Sequence, residues 1–114
     1  DEMNEALIDG ATFRALQDAA GRDFVAELVG TFLEEAPGML AELREARAQA
    51  DADRFRRAAH SLKSNCSTFG ATALAAKARE LEVKGLAASD AGALEALEAD
   101  YVPVAAALKE LAHG

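Results

Sequence analysis

The chain is short of most of the residues that carry recognisable chemistry. It has one cysteine, Cys66, so no internal disulfide can form, and a lone thiol suits a reducing compartment. Its two histidines, His60 and His113, lie far apart, and with the single cysteine on an apolar face no zinc ligand set is expected. No stretch approaches 18 consecutive apolar residues and no signal-peptide pattern opens the chain, so neither a membrane span nor a secretory leader is expected. The eight glycines never assemble into a nucleotide-binding loop, which argues against an ATP site of its own. Aromatics are scarce, with five Phe, one Tyr and no Trp, and only two prolines occur. A small-molecule enzyme needs a concave pocket, for which a small bundle packed on Ala and Leu has little room.

What is present is Ala, Leu and Glu, the composition of an all-α protein. At 114 residues, half of them hydrophobic, the chain should fold as one domain with one core. Residues 1–6 read as a ragged start or linker and 7–112 as the domain. The net charge of −8 is uneven: −9 over residues 1–53, +5 over 54–84 and −4 over 85–114. An acidic body excludes general nucleic-acid binding, whereas one basic segment points to a small anionic group or to a partner with an acidic pocket.

Periodicity predicts five helices. A short first helix runs from about Thr12 to Ala20, capped by Asp9, stopped by Gly21 and edged with Phe13, Leu16 and Ala20. Asp23 is expected to cap a long second helix with the stripe Phe24, Leu28, Phe32, Ala36, Leu40, Leu43 and Arg47. Pro37-Gly38 interrupts it, but the stripe stays in phase, so one helix with a kink near Phe32–Leu33 is expected. Asp51-Ala52-Asp53 opens the third helix and Gly70 ends it. The fourth spans about Ala71 to Leu86 on Leu74, Ala78 and Leu81, and Ser89 or Asp90 caps the last. That helix carries Leu94, Leu97, Tyr101, Val104, Leu108 and Leu111, with a kink or bulge expected at Pro103. Short connections favour antiparallel neighbours, hence an up-down-up-down four-helix bundle with the first helix capping one end. The Leu/Val seam reads as core, so a monomer is expected.

The third helix carries the chemistry. With 100° per residue, Phe55, Ala58, Ala59, Leu62, Cys66 and Phe69 form an apolar stripe, and His60 lies opposite, among Arg56, Arg57, Lys63, Ser64 and Ser67. An outward imidazole ringed by cations suits transient carriage of a phosphoryl group, since neutral imidazole is a good nucleophile and can be reached by a partner's active site. Lys63, one turn on, would hold the phosphoryl oxygens. In a hairpin bending at Gly70–Ala71, His60 and Glu82 lie at similar depths, about 15 and 18 Å at 1.5 Å per residue. Glu82 would then accept from Nδ1–H and leave Nε2 free. Pairing of Glu82 with Arg79 or Lys84 on its own helix is the plainer alternative. Gly70 and Ala71 are expected to let the two helices approach closely.

His60-Ser61-Leu62-Lys63-Ser64-Asn65-Cys66, followed by Phe69-Gly70-Ala71, Leu74 and Leu81-Glu82, resembles the motif of histidine-containing phosphotransfer (HPt) domains. So does Phe32-Leu33-Glu34-Glu35-Ala36-Pro37. The resemblance covers roughly residues 7–111; Ser64 stands where many members have Gly, and Cys66 where Ser or Ala is usual. It implies the HPt fold, a phosphorylated His60, Lys63 as the stabilising cation and Glu82 as the residue orienting the histidine. It implies response-regulator receiver domains as partners, with Arg56, Arg57, Ser64, Ser67 and Gly70 at the interface, and Mg²⁺ in the receiver but no cofactor in this chain. Such domains are cytoplasmic, either stand-alone proteins or C-terminal modules of hybrid sensor kinases. A phosphate-accepting domain of a chemotaxis-type kinase is a narrower variant. The reading from another class is an adaptor that binds a partner through the His60 face without chemistry.

Overall fold

In a computed structural model the described residues are 7–113; the expected linker over 1–6 lies outside them. Among the described residues five α-helices follow one another from Gly10 on: α1 Gly10–Ala20, α2 Arg22–Ala48, α3 Ala52–Phe69, α4 Thr72–Lys84 and α5 Ala91–His113, with one 3₁₀ turn at Leu86–Ala88. There is no strand among the described residues. α3 packs against both α2 and α4, and α5 closes the ring against α2 and α4. The bundle expected from the sequence is the one formed, and α1 lies against α2 and α3 at one end.

The helix ends follow from local chemistry. Asp9 caps α1, accepting from Ala11 N–H at 3.3 Å and from the Thr12 hydroxyl at 2.7 Å. Gly21, at φ 94°, both ends α1 through its N–H on Gln17 O and starts α2 through its carbonyl, which accepts from Val25 N–H. One glycine therefore serves two helices, so Asp23 is not the cap; it sits inside the first turn of α2. Asp51 caps α3 by accepting from Arg54 N–H at 3.1 Å. Gly70 ends α3 in the left-handed region, with Ala71 N–H bonded to Cys66 O and Gly70 N–H to Ser67 O, a Schellman closure. α4 stops at Lys84, short of the expected Leu86, because Gly85 turns to φ 77°. Asp90 accepts from Ala93 N–H at 2.8 Å as the cap of α5, while the buried Ser89 donates its hydroxyl to Gly85 O.

Both prolines lie within unbroken helices. Each removes one backbone donor, and packing on either side carries the helix through. The core joins Phe13, Val25, Val29, Phe32, Ala36, Leu43, Phe55, Leu62, Phe69, Leu74, Leu97 and Leu108. Phe32 packs against Phe69 with the rings tilted by 34° and their centres 5.6 Å apart, and meets Tyr101 edge-on at 6.3 Å. The expected stripe of α2 is displaced at its start: Val25 and Val29 are buried, Leu28 only in part, and Phe24 is 52% exposed. Residues 25, 29, 32, 36, 40 and 43 lie within one narrow arc at 100° per residue, whereas Phe24 falls about 120° off it. Ala20 is likewise exposed, and Leu16 half-buried. His113, placed by the sequence at a fraying end, is the last residue of α5.

Candidate functional site

The apolar stripe of α3 is fully committed to the core, with Phe55, Ala59, Leu62 and Cys66 at 0% exposure. That fixes the rotation of the helix and turns His60 outward, its side chain 56% exposed. Burial pushes the Cys66 thiol up to about 12, so it is an inert core residue.

Glu82 reaches across from α4. Its Oε2 lies 2.7 Å from His60 Nδ1, and its Oε1 lies 2.9 Å from Lys63 Nζ. The carboxylate is thus shared between the imidazole and the ammonium, and only 17% of it is exposed. The Lys63 ammonium, opposed by partial burial and aided by the His60 hydrogen bond, holds the Glu82 carboxyl below the usual carboxylate range. An ionised acceptor at Nδ1 selects the tautomer with the proton there and the lone pair on Nε2. The alternative pairing along α4 is not adopted: Lys84 bonds to Glu80 at 2.7 Å instead.

Lys63 is less free than the sequence suggests. Its side chain is only 26% exposed, because it lies along α3 towards α4 with its head on Glu82. Arg56 and Arg57 are also engaged, both by Asp53, at 2.9 and 3.1 Å. Arg56, through its hydrogen bond, and then Arg57 hold the Asp53 carboxyl below its ordinary value. In the sequence Asp53 reads only as part of the turn that opens α3, although its spacing three and four residues before two arginines is the usual mark of a helix-face ion pair. The cationic ring around His60 is therefore largely neutralised from within. Ser64 and Ser67 are exposed on the same helix.

Gly70 does not join this surface. It is buried, and a Cβ there would lie 2.8 Å from Asp9 O and 3.2 Å from Thr12 Cβ. Its carbonyl accepts from Asp9 N–H at 2.8 Å. What it admits is the start of α1, not a close approach of α3 to α4, and it offers a partner no exposed surface. Among the described residues no group of three or more His, Cys, Asp or Glu could hold a metal ion. No helix among them is long and apolar enough to cross a membrane.

An exposed imidazole held at Nδ1 by a carboxylate from the next helix is an arrangement for nucleophilic chemistry at Nε2. The sequence model of the Hpt domain matches residues 27–113. The chain belongs to the Hpt domain family. Its structure is similar to the crystal structure of histidine-containing phosphotransfer protein B (HptB) from Pseudomonas aeruginosa PAO1, with a TM-score of 0.83 and 25% identity, over 94% of this chain and 95% of that one. No curated protein matches the chain by sequence. Membership of the Hpt family gives the domain a role in histidine phosphotransfer within a phosphorelay, and the bundle described above is the Hpt fold. Hpt domains as a class interact with response-regulator receivers.

Proposed function

We propose that His60 is the phosphoryl carrier: it accepts the group from a receiver's phospho-aspartate and passes it to a second receiver. The observation that carries this is the 2.7 Å contact of Nδ1 with Glu82 in an imidazole that is more than half exposed. In the forward step the Nε2 lone pair forms the N–P bond as the P–O bond to aspartate breaks, and the aspartate departs as a carboxylate. The imidazole keeps its Nδ1 proton and gains positive charge, which the Glu82 carboxylate faces directly. In the return step the ring leaves as neutral imidazole, so the same proton serves both directions. No proton has to leave or enter the chain.

Lys63 sits one turn from His60 with a flexible four-carbon stem. On arrival of the phosphoryl group its ammonium shifts from Glu82 Oε1 towards the phosphoryl oxygens, a more highly charged acceptor. Arg56, Arg57, Ser64 and Ser67 face the receiver, with Mg²⁺ held by the receiver. The domain works as a monomer in the cytoplasm, stand-alone or within a hybrid sensor kinase, and acts as a phosphocarrier without an ATP site. The transfer is catalysed by alignment and charge.

The test is to incubate the chain with a phosphorylated receiver and follow acid-labile, base-stable label. Wild type should take up label and His60→Gln none. Equal labelling of the two would remove His60 from the mechanism, and a His60→Gln chain that still binds and signals normally would favour the non-chemical adaptor.

A further inference from the structure

Every cation within about one turn of His60 is already paired, and the two pairings differ in depth. Lys63 holds Glu82 at 2.9 Å, with its own side chain 26% exposed and the carboxylate only 17% exposed. Arg56 and Arg57 share Asp53, at 2.9 and 3.1 Å, and all three side chains are more than half exposed. An exposed pair of this kind contributes little and opens readily. Withdrawing Lys63, by contrast, strips a largely covered carboxylate of its strongest partner. If Arg57 leaves, Asp53 still has Arg56.

Arg57 also stands on the flank of His60 away from Glu82. At 100° per residue Lys63 and Arg57 lie about 60° to either side of His60, Lys63 towards α4 and Arg57 towards α2. Glu82 holds Nδ1 from the α4 side. Across the five-membered ring the lone pair on Nε2 diverges from the Nδ1–H bond, and so is directed away from Glu82. Arg57 lines the open groove of about 680 Å³ between α2 and α3, together with Gly38, Met39, Ala58 and Ser61, so its guanidinium has room to move. Residues three apart on a helix are neighbours, which puts the imidazole within the sweep of that side chain.

We propose that Arg57 is a second phosphoryl-binding residue, which leaves Asp53 and closes on the phosphoryl oxygens at His60 Nε2, and that Asp53 is the positioning residue that withholds it from the empty imidazole. A phosphoryl group brings close to two negative charges and three acceptor oxygens, more than one ammonium satisfies. A guanidinium fork binds two such oxygens at once. Beside the unphosphorylated ring the same guanidinium has no acceptor and would oppose positive charge on the imidazole, whereas Asp53 gives it a partner. This rests on His60 as the phosphoryl carrier and adds which further residues hold the group once it has arrived.

The experiment loads the full chain with phosphoramidate, a small phosphodonor that needs no receiver, and follows the phosphohistidine by phosphorus NMR at neutral pH and through a titration. In Arg57→Gln its half-life should fall about fivefold, as for the loss of one charge-assisted contact. The second ionisation of the phosphoryl group should move to higher pH, because a cation no longer favours the dianion. Asp53→Asn should lengthen the half-life about twofold, the scale of an exposed pair, and move that ionisation to lower pH. Asp53→Asn combined with Arg57→Gln should return to the Arg57→Gln values, which a merely structural Asp53 would not do. Arg44→Gln, an equal loss of charge in the pair with Glu98, should match wild type. Wild-type half-life and ionisation in Arg57→Gln, or an effect of Arg44→Gln as large, overturns the role of Arg57 while leaving His60 as the carrier. A double variant that keeps the Asp53→Asn lifetime overturns the tether. A wild-type chain that neither phosphoramidate nor a phosphorylated receiver labels at His60 overturns the carrier reading and this one with it.

Discussion

The middle and the end of α3 lie in one continuous motif and do opposite work. Around His60 the side chains are exposed or half-exposed and are held by charged hydrogen bonds to Glu82 and Asp53. At Gly70, ten residues later, the backbone is buried, left-handed and bonded to the start of α1. The first region can be altered with little change in folding, because paired surface charges contribute little to stability. The second cannot, because its cost is steric. A residue can therefore belong to the motif through the scaffold without ever meeting the partner.

Gly70→Ala is the largest expected effect. The left-handed backbone and the 2.8 Å approach to Asp9 O each penalise a Cβ. Together they should lower unfolding free energy by about 2–4 kcal/mol, read by urea denaturation. Transfer measured per folded molecule should remain within twofold or so, and a slowed transfer at full folding would return Gly70 to the docking face. Glu82→Ala should do the reverse. Losing the carboxylate that orients the imidazole should slow saturating transfer by about 10–100-fold, with a melting temperature close to wild type. A rate equal to wild type would mean that the His60 contact orients nothing.

Lys63→Ala should be milder, a slowing of about tenfold, or a phosphohistidine lifetime shortened to the same extent, consistent with the loss of one charge-assisted contact. Its half-buried stem adds a small stability loss that a solvated lysine would not show. If rate and lifetime are both unaltered, the lysine serves only to hold Glu82.

Much of this was legible in the sequence, for identifiable reasons. The stripe of α3 is unbroken from Phe55 to Phe69, so its opposite face was certain and His60 with it. The pairing of His60 with Glu82 followed from counting residues on either side of a glycine turn, since 1.5 Å per residue leaves little latitude over two short arms. Legibility failed where one group has two claimants. Gly21 could end α1 or yield to Asp23, and the choice depends on how close α1 and α2 lie. Gly70 could relieve either of two contacts, and only the position of α1 decides between them. The α2–α3 groove was invisible because Gly38 enters the sequence reading only as part of the Pro37-Gly38 interruption in one helix, and the space beside it depends on how α3 lies against α2. The neutralisation of Arg56 and Arg57 was readable from the position of Asp53, but a count of charges by segment conceals it.

The smallest expected effect separates the two regions by pH. The Glu82 carboxyl is held below its ordinary value of 4.5, by Lys63 first and also by His60, against the opposing effect of burial. A carboxyl lowered on folding stabilises the native state above its unfolded value, and that contribution is lost as pH falls through the lowered one. Between pH 5 and 8, then, the network is complete and stability should carry no inflection from Glu82. Below about pH 4 stability should fall, and the fall should be shallower in Glu82→Gln, which has nothing to protonate. Asp53 and Glu80 are lowered as well and act in the same range. The informative quantity is therefore the difference between wild type and Glu82→Gln, followed by thermal melting from pH 3 to 6. Lys63→Ala should move the acid limb of Glu82 upward, because the strongest cause of its lowering is gone. Gly70→Ala should shift the whole curve down without changing its shape, since the added Cβ meets the Asp9 backbone and Thr12 Cβ, not a carboxylate. Parallel curves for wild type and Glu82→Gln would show that the carboxylate contributes nothing to folding, and a changed shape in Gly70→Ala would show that the two ends of α3 are not independent.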